Sequence, residues 1–213
     1  MLITRHFTFV HSVCEEHLPT EWTVENSLHQ HAPYRGLLRE VARGALPPFV
    51  ADLPVLAFVR NPWDWYVSWY HHELAQPDGH SPYWRRAFDF ESGDFKHIVT
   101  KACTEPVGDH AVTRLMRRDG IDFLSAGYKL LVSEGVPPGR IEVGRFERLR
   151  DDFLGFLARH GVPVSERFER AVRESAPVNV SRRDHYHEYY DDELRELVAR
   201  AAHDVIHEYG YEF

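Results

Sequence analysis

The residues best suited to chemistry lie in the stretch Phe58–His72, which reads FVRNPWDWYVSWYHH. Arg60 precedes Asn-Pro, a common beginning for a helix, and the hydroxyl of Ser68 follows eight residues after Arg60. A guanidinium group beside a helix N-terminus is suited to bind a phosphate, because free N–H groups and the helix dipole favour negative charge there. The pattern therefore indicates an anion site, and an ordinary ion pair of Arg60 is the alternative that local chemistry leaves open.

The elements that position these residues follow from the hydrophobic pattern around them. Leu53–Arg60 is a continuous apolar run bounded by prolines and is predicted to be a strand buried on both faces. Pro62 to about Glu73 is predicted to be a helix, with the Asp64 carboxylate in its first turn and aromatic and apolar side chains recurring on one face. Arg60 then lies at the carboxyl end of a buried strand, where open parallel sheets bind their ligands.

The rest of the chain is predicted to be mostly helical with a few further strands. Strands are expected at His6–His11 and Arg140–Phe146, an irregular segment at 74–93, and a polar loop at Ala176–Tyr186. Helices are predicted at about 36–46, 94–103, 108–118, 121–134, 148–160 and 165–174, with a last helix from Asp191 to about Glu208. Few buried strands separated by helices favour an α/β fold: a small parallel sheet flanked by helices, a helix-rich C-terminal half, and one domain over residues 1–213.

The stretch around Arg60 resembles the 3′-phosphate-binding signature of sulfotransferases that use 3′-phosphoadenosine 5′-phosphosulfate (PAPS). In that signature an Arg at the end of a strand precedes Asn-Pro, and a Ser follows eight positions later. The resemblance implies that Arg60 and Ser68 hold the 3′-phosphate of the nucleotide. It also implies the sulfotransferase version of the P-loop NTPase-like fold, PAPS as the sulfuryl donor, and chemistry that requires no metal.

Three later segments are similar to the same family, especially to its bacterial and carbohydrate-type members. Val143–Leu149 resembles a strand-to-helix segment whose aromatic residue, here Phe146, lies near the adenine. Asn179–Arg183 resembles the loop that closes over the nucleotide, which implies that Arg182 and Arg183 assist at its phosphates; a solvated arginine pair is the alternative. The last predicted helix, with the residues that follow it, resembles the family's C-terminal helix.

His31 is the candidate general base. It lies in His-Ala-Pro upstream of the buried strand and resembles the family's His-x-Pro histidine, which takes the proton from the acceptor hydroxyl. A His pKa near neutrality suits the removal of this proton as the bond from oxygen to sulfur develops. His29 and His11 compete with His31 for the assignment, and an ordinary surface or core histidine is the alternative for each.

One part of the family pattern is not found between the first predicted strand and His31. The family has there a loop of the type Lys-Thr-Gly-Gly-Thr-Ser, whose N–H groups and lysine hold the 5′-phosphosulfate. Residues 12–30 contain neither lysine nor glycine, and Glu15 and Glu16 would repel that group. Either the loop is substituted in place, with Cys14 where the lysine would stand, or the loop and the start of its helix are missing. The short spacing to His31 favours the second interpretation. Without that lysine the leaving group would lose one electrostatic contact, and the loss of one such contact slows a reaction about 100- to 1000-fold.

Composition disfavours several broad classes of function. The chain has 213 residues, a net charge of −8 and 43% hydrophobic residues, which together fit a globular protein with its own core. The negative balance disfavours a general nucleic-acid binder, and no apolar stretch has the length of a bilayer span. Two cysteines, with no HExxH or CxxC motif, predict neither a disulfide framework nor a metal site. A cytoplasmic protein without nucleic-acid or membrane partners is therefore expected.

The function expected from the resemblance is transfer of a sulfuryl group from PAPS to a hydroxyl or amine of a small molecule or sugar, as in EC class 2.8.2. His31 is the expected base, and the expected nucleotide-binding residues are Arg60, Ser68, Phe146, Arg182 and Arg183. The alternative is a non-catalytic accessory subunit of the same fold, which binds nucleotide or a homologous partner chain because the phosphosulfate loop is lost. Two further alternatives are not decided by the sequence. The chain could form a homo-oligomer, and the sulfate ester that it makes could serve as the leaving group in a later cyclisation or elimination.

Overall fold

The structure, a computed structural model, describes most of the chain: residues 34–44, 48–75, 82–176 and 183–213. Several predictions lie outside these residues: the first strand at His6–His11, the region 12–30 where the phosphate loop would stand, and the site residues His31 and Arg182.

Two strands among the described residues form a small parallel sheet. β1 (Val55–Val59) comes from the apolar run bounded by prolines, and β2 (Ile141–Arg145) follows the turn that begins at Pro137. A Cβ atom at Gly144 would lie 2.8 Å from Cε1 of Phe58, so the glycine makes room for the aromatic side chain of β1. A mostly helical chain with a small parallel sheet has the α/β character that the sequence predicts.

Helices make up most of the other described residues, and the majority lie where the sequence predicts them. They are α1 (Tyr34–Ala42), α2 (Pro62–Ala75), α3 (Pro82–Ala87), α4 (Phe95–Thr104), α5 (Ala111–Asp119), α6 (Phe123–Tyr128), α7 (Leu149–Arg159), α8 (Glu166–Glu174), α9 (Asp192–Ala201) and α10 (His203–Tyr209). Shorter 3₁₀ turns lie at Pro48–Asp52, Phe90–Ser92, Phe146–Arg148 and Tyr186–Tyr189, and a π-helical turn lies at Lys129–Ser133.

Three segments differ from the prediction. Residues 74–93, expected to be irregular, contain α3, because Trp84 and Phe88 pack their rings against Phe123 at centroid distances of 4.8 and 4.9 Å. The helix expected at 121–134 ends early, and the π-helical turn follows α6. The last helix is divided at the buried Ala202, whose φ of −99° and ψ of 21° end α9 before α10 begins. Neither glycine nor proline marks this division in the sequence.

One compact unit contains the described residues of Met1–Phe58 and Leu131–Pro177. α7 supplies Leu157 to its core, and Asp152 of the same helix accepts a hydrogen bond from the Arg145 N–H at 2.7 Å, which ties α7 to β2. The single domain expected over residues 1–213 stays a prediction.

The second compact unit contains the described residues of Val59–Leu130 and Val178–Phe213. Its core includes Tyr66 of α2, whose hydroxyl donates to Oδ2 of Asp122 at 2.6 Å. Oδ1 of Asp122 accepts from the Ser125 N–H at 2.9 Å and so caps α6. Burial raises the pKa of Asp122 and raises that of Tyr66 well above its usual value. α2 is therefore fixed to the beginning of α6 by a buried polar bond.

Candidate functional site

Arg60 occupies the turn between β1 and α2, where the sequence places it. Oδ1 of Asn61 accepts a hydrogen bond from the Trp63 N–H at 3.0 Å, and Pro62 is the first residue of α2. Asn61 and Pro62 are buried. The turn that carries Arg60 is therefore set by the helix cap that the Asn-Pro pair predicts.

The carboxylate of Asp64 joins Arg60 to Arg183. Its Oδ2 accepts from Nε of Arg60 at 2.6 Å, and its Oδ1 accepts from Nη2 of Arg183 at 2.6 Å. The side chains of Arg60, Asp64 and Arg183 are only 18%, 20% and 14% exposed. Two guanidinium groups therefore meet on one carboxylate in a partly buried place, and the guanidinium fork is well suited to a phosphate.

Ser68 lies one helical turn beyond Asp64 on α2. Residues four apart share a face of a helix and are about 6 Å apart along its axis. The hydroxyl of Ser68, which is partly buried, therefore belongs to the same helix face as the carboxylate on which the two arginines meet.

His71 continues this face. Its Nε2 lies 2.7 Å from the hydroxyl of Tyr189. Burial lowers the pKa of His71, and the positive charge of Arg183 lowers it further, while Asp184 acts in the opposite direction. The imidazole is therefore mainly neutral at pH 7. We call the set of Arg60, Asp64, Ser68, His71 and Arg183 the polar face.

Two members of the polar face are not candidates in the sequence analysis. Asp64 is four residues from Arg60, but no local pattern shows that Arg183 shares the same carboxylate. His71 is one of 15 histidines, and its partner Tyr189 lies 118 residues away. Only the folded chain distinguishes it from the others.

The aromatic residues of α2 pack against other aromatic side chains. The indole of Trp63 is buried, and Trp65 stacks on Trp69 with ring centroids 5.6 Å apart. Trp69 in turn contacts Phe88 and Phe123 at centroid distances of 5.4 and 5.3 Å. These contacts join the aromatic side chains of α2 into a packed cluster with Phe88 and Phe123.

The other predicted site residues are placed as follows. Phe146 belongs to the other compact unit, where it begins the 3₁₀ turn after β2 and is 45% exposed. Two more lie outside the described residues, His31 and Arg182. The predicted residues that the polar face contains are Arg60, Ser68 and Arg183.

The chain has three lysines, and each forms an ion pair with a carboxylate of the second unit. Nζ of Lys96 lies 2.9 Å from Asp191 and 2.5 Å from Glu193. The other two pairs are Lys101 with Glu105 at 3.7 Å and Lys129 with Asp119 at 2.7 Å. The positive charge of the polar face therefore comes from arginine.

Neither a metal site nor a membrane-spanning helix is found among the described residues. Within residues 34–44, 48–75, 82–176 and 183–213, no group of three or more His, Cys, Asp and Glu side chains is placed to hold a metal ion. In this part of the chain, every helix is too short or too polar to cross a membrane.

Comparisons with protein-family models, with curated proteins and with solved structures found no match for this chain. The functional interpretation therefore depends on the motif around Arg60 and on the geometry of the polar face.

Proposed function

We propose that this chain is a sulfotransferase with the family's P-loop NTPase-like fold, and that it transfers a sulfuryl group from PAPS to a hydroxyl or amine of a small molecule or sugar. One observation carries the proposal. Arg60 and Arg183, which lie far apart in the sequence, meet on one carboxylate of the helix face that also bears Ser68. The same three residues are those that the motif and the late loop suggest for the nucleotide's phosphate.

In this proposal the 3′-phosphate takes the place of the Asp64 carboxylate on the guanidinium groups. A carboxylate and a phosphate both accept hydrogen bonds from the planar fork of an arginine, so one can replace the other without moving the arginine. Before the nucleotide arrives, Asp64 keeps both side chains oriented. Ser68 then donates a hydrogen bond to a further phosphate oxygen.

The transfer itself is a displacement at sulfur. The acceptor oxygen forms a bond to sulfur while the bond from sulfur to the 5′-phosphate oxygen breaks, and 3′-phosphoadenosine 5′-phosphate is the leaving group. His31 takes the proton of the acceptor hydroxyl. Arg182 is the further residue that the resemblance suggests at a phosphate of the nucleotide.

Calorimetric titration tests the nucleotide site with a matched pair of ligands. 3′-Phosphoadenosine 5′-phosphate is expected to bind, and 5′-adenosine monophosphate, which lacks the 3′-phosphate, is expected to bind about 10- to 100-fold more weakly because charge-assisted hydrogen bonds are lost. In Arg60→Ala the difference between the two ligands should shrink, whereas Arg200→Ala, at an exposed arginine of α9, should preserve it. No binding of the bisphosphate at millimolar concentration would refute the proposed site.

A second candidate function is an accessory subunit that binds nucleotide but does not transfer sulfate alone. It is favoured by residues 12–30, which contain neither lysine nor glycine, and by the three lysines, which all pair with carboxylates elsewhere. Turnover of PAPS by the chain alone supports the enzyme. Nucleotide binding without turnover, together with a stable complex with a homologous chain that has the Lys-Thr-Gly-Gly-Thr-Ser loop, supports the accessory subunit.

A further inference from the structure

The residues on both sides of Arg60 are hydrogen-bonded to the segment 210–213, which follows α10. The hydroxyl of Tyr211 donates to the carbonyl of Val59 at 3.1 Å, and Nδ2 of Asn61 donates to the carbonyl of Glu212 at 2.9 Å. The side chains at 59, 61 and 211 are all buried, so water competes little for these bonds. Arg60 is the single residue between the two points of attachment.

The backbone fixes the position of Tyr211 itself. Gly210 has a φ of 58°, in the left-handed region that favours glycine, and it ends α10. The Tyr211 N–H then donates to the carbonyl of Ile206 at 3.0 Å, the closing bond of a Schellman-type helix end. The phenol of Tyr211 is thereby directed from a helix end with a defined geometry.

The ring of Phe213 packs the same segment against the beginning of α2. Its centroid lies 5.5 Å from that of Trp63 in an edge-to-face arrangement, and the guanidinium of Arg195 lies over its face at 5.6 Å. Nε1 of Trp63 donates to the carbonyl of Arg195 at 3.1 Å. Segment 210–213 and α9 therefore hold the first turn of α2 from two directions.

We propose that Tyr211 is a positioning residue for Arg60. Its hydrogen bond to the Val59 carbonyl holds the peptide group on one side of Arg60, and the side-chain amide of Asn61, bonded to the Glu212 carbonyl, holds the next residue on the other side. The guanidinium of Arg60 is thereby directed at Asp64. It is also directed at the 3′-phosphate that replaces Asp64, and this role in nucleotide binding rests on the proposed function. Tyr211 acts through the backbone of the turn.

Tyr211→Phe removes only the hydroxyl, and Tyr209→Phe is its matched control. Tyr209 also loses a hydrogen-bonded hydroxyl, but its partners are Tyr128 and Glu208 and not the turn that carries Arg60. The readout without nucleotide is the exchange rate of the Arg60 Nε–H with water, measured by ¹⁵N NMR and assigned with Arg60→Lys. In the wild type this N–H is held on Asp64 at 2.6 Å. We expect exchange to be about fivefold faster in Tyr211→Phe, because one buried hydrogen bond is lost, and unchanged in Tyr209→Phe.

The affinity for 3′-phosphoadenosine 5′-phosphate is the second readout, and the expected change is a dissociation constant about fivefold larger in Tyr211→Phe only. Suppose that Arg60 exchange is faster in Tyr211→Phe than in the wild type, but that the wild type binds no nucleotide. That result would support the positioning role and refute the proposed function. Equal exchange in the two tyrosine variants would overturn the positioning role even where the nucleotide binds.

If Tyr211→Phe does not fold, Asn61→Ser decides the question, since serine keeps the helix cap but has no amide to donate to Glu212. Wild-type exchange in Asn61→Ser would then overturn the proposal.

Discussion

At the scale of single residues, one carboxylate organises the charge of the polar face. Asp64 accepts hydrogen bonds from two guanidinium groups that are each less than a fifth exposed. Without a negative partner, these two cations would repel each other where water screens them only in part. The Asp64 carboxylate therefore supplies negative charge to both arginines and helps to orient them.

Asp64→Asn is expected to lower the free energy of unfolding by about 1–3 kcal/mol, because two partly buried cations lose their counter-charge. Urea denaturation at low ionic strength measures this change. The control is Asp192→Asn, since the Asp192 carboxylate is 87% exposed where it pairs with Arg195 at 3.1 Å. That variant should change the free energy of unfolding by less than about 0.5 kcal/mol. Equal losses in the two variants would contradict the organising role of Asp64.

The pKa of His71 gives a second measurement at this scale. In the folded chain burial and Arg183 lower this pKa, so the unfolded chain, with a His pKa of about 6.5, binds the proton more readily. The contribution of His71 to the free energy of unfolding is therefore constant above pH 7 and declines as the pH falls below about 6.5.

Arg183→Ala is expected to raise the pKa of His71, since one of the two causes that lower it is removed. An NMR titration of the imidazole measures this shift directly. Arg200→Ala, which removes an exposed arginine of α9 paired with Glu196, should leave the pKa where it is. A His71 pKa that does not move in Arg183→Ala would show that the two side chains are not neighbours.

At the scale of elements, local sequence predicts the strand and the helix that carry Arg60. The apolar run gives β1, and Asn61 with Pro62 gives the beginning of α2. The predictions that failed depend on distant contacts instead. α3 forms where Trp84 packs on Phe123. The division between α9 and α10 lies at Ala202, where the sequence has neither glycine nor proline to predict the end of a helix. A local pattern contains no information about such partners.

Gly144 is an element-scale test of the packing between β1 and α7. A Cβ atom there would lie 2.8 Å from Phe58 and 3.0 Å from Cβ of Asp152, so Gly144→Ala should lower the free energy of unfolding by about 1–3 kcal/mol. Gly127 in α6 is the control, because a Cβ at that position meets no atom within 4 Å. Gly127→Ala should raise the free energy of unfolding by about 0.5–1 kcal/mol through helix propensity. Guanidinium denaturation separates the two results, and a gain in both variants would contradict the close packing.

At the scale of the whole molecule, a chain with a net charge of −8 still brings two arginines together on one carboxylate. Arg60 and Ser68 could be predicted because they lie in one continuous motif. The resemblance of the late loop suggests Arg183, but its contact with Asp64 joins residues that are 119 apart in the sequence, and no local rule predicts such a contact. The partnership of His71 with Tyr189 has the same origin in long-range packing. Local spacing therefore predicts which groups a helix face presents, but not which distant groups complete it.

The central claim is that Arg60 and Arg183 bind the 3′-phosphate of a nucleotide, and ³¹P NMR of 3′-phosphoadenosine 5′-phosphate tests it most directly, because each phosphate has its own resonance. On binding, the 3′-phosphate resonance should shift, and the second pKa of this group should fall below its usual value of about 6, since two guanidinium ions favour the dianion. Both effects should be clearly smaller in Arg60→Ala. A titration in which only the 5′-phosphate resonance moves, or in which neither moves, would contradict the claim.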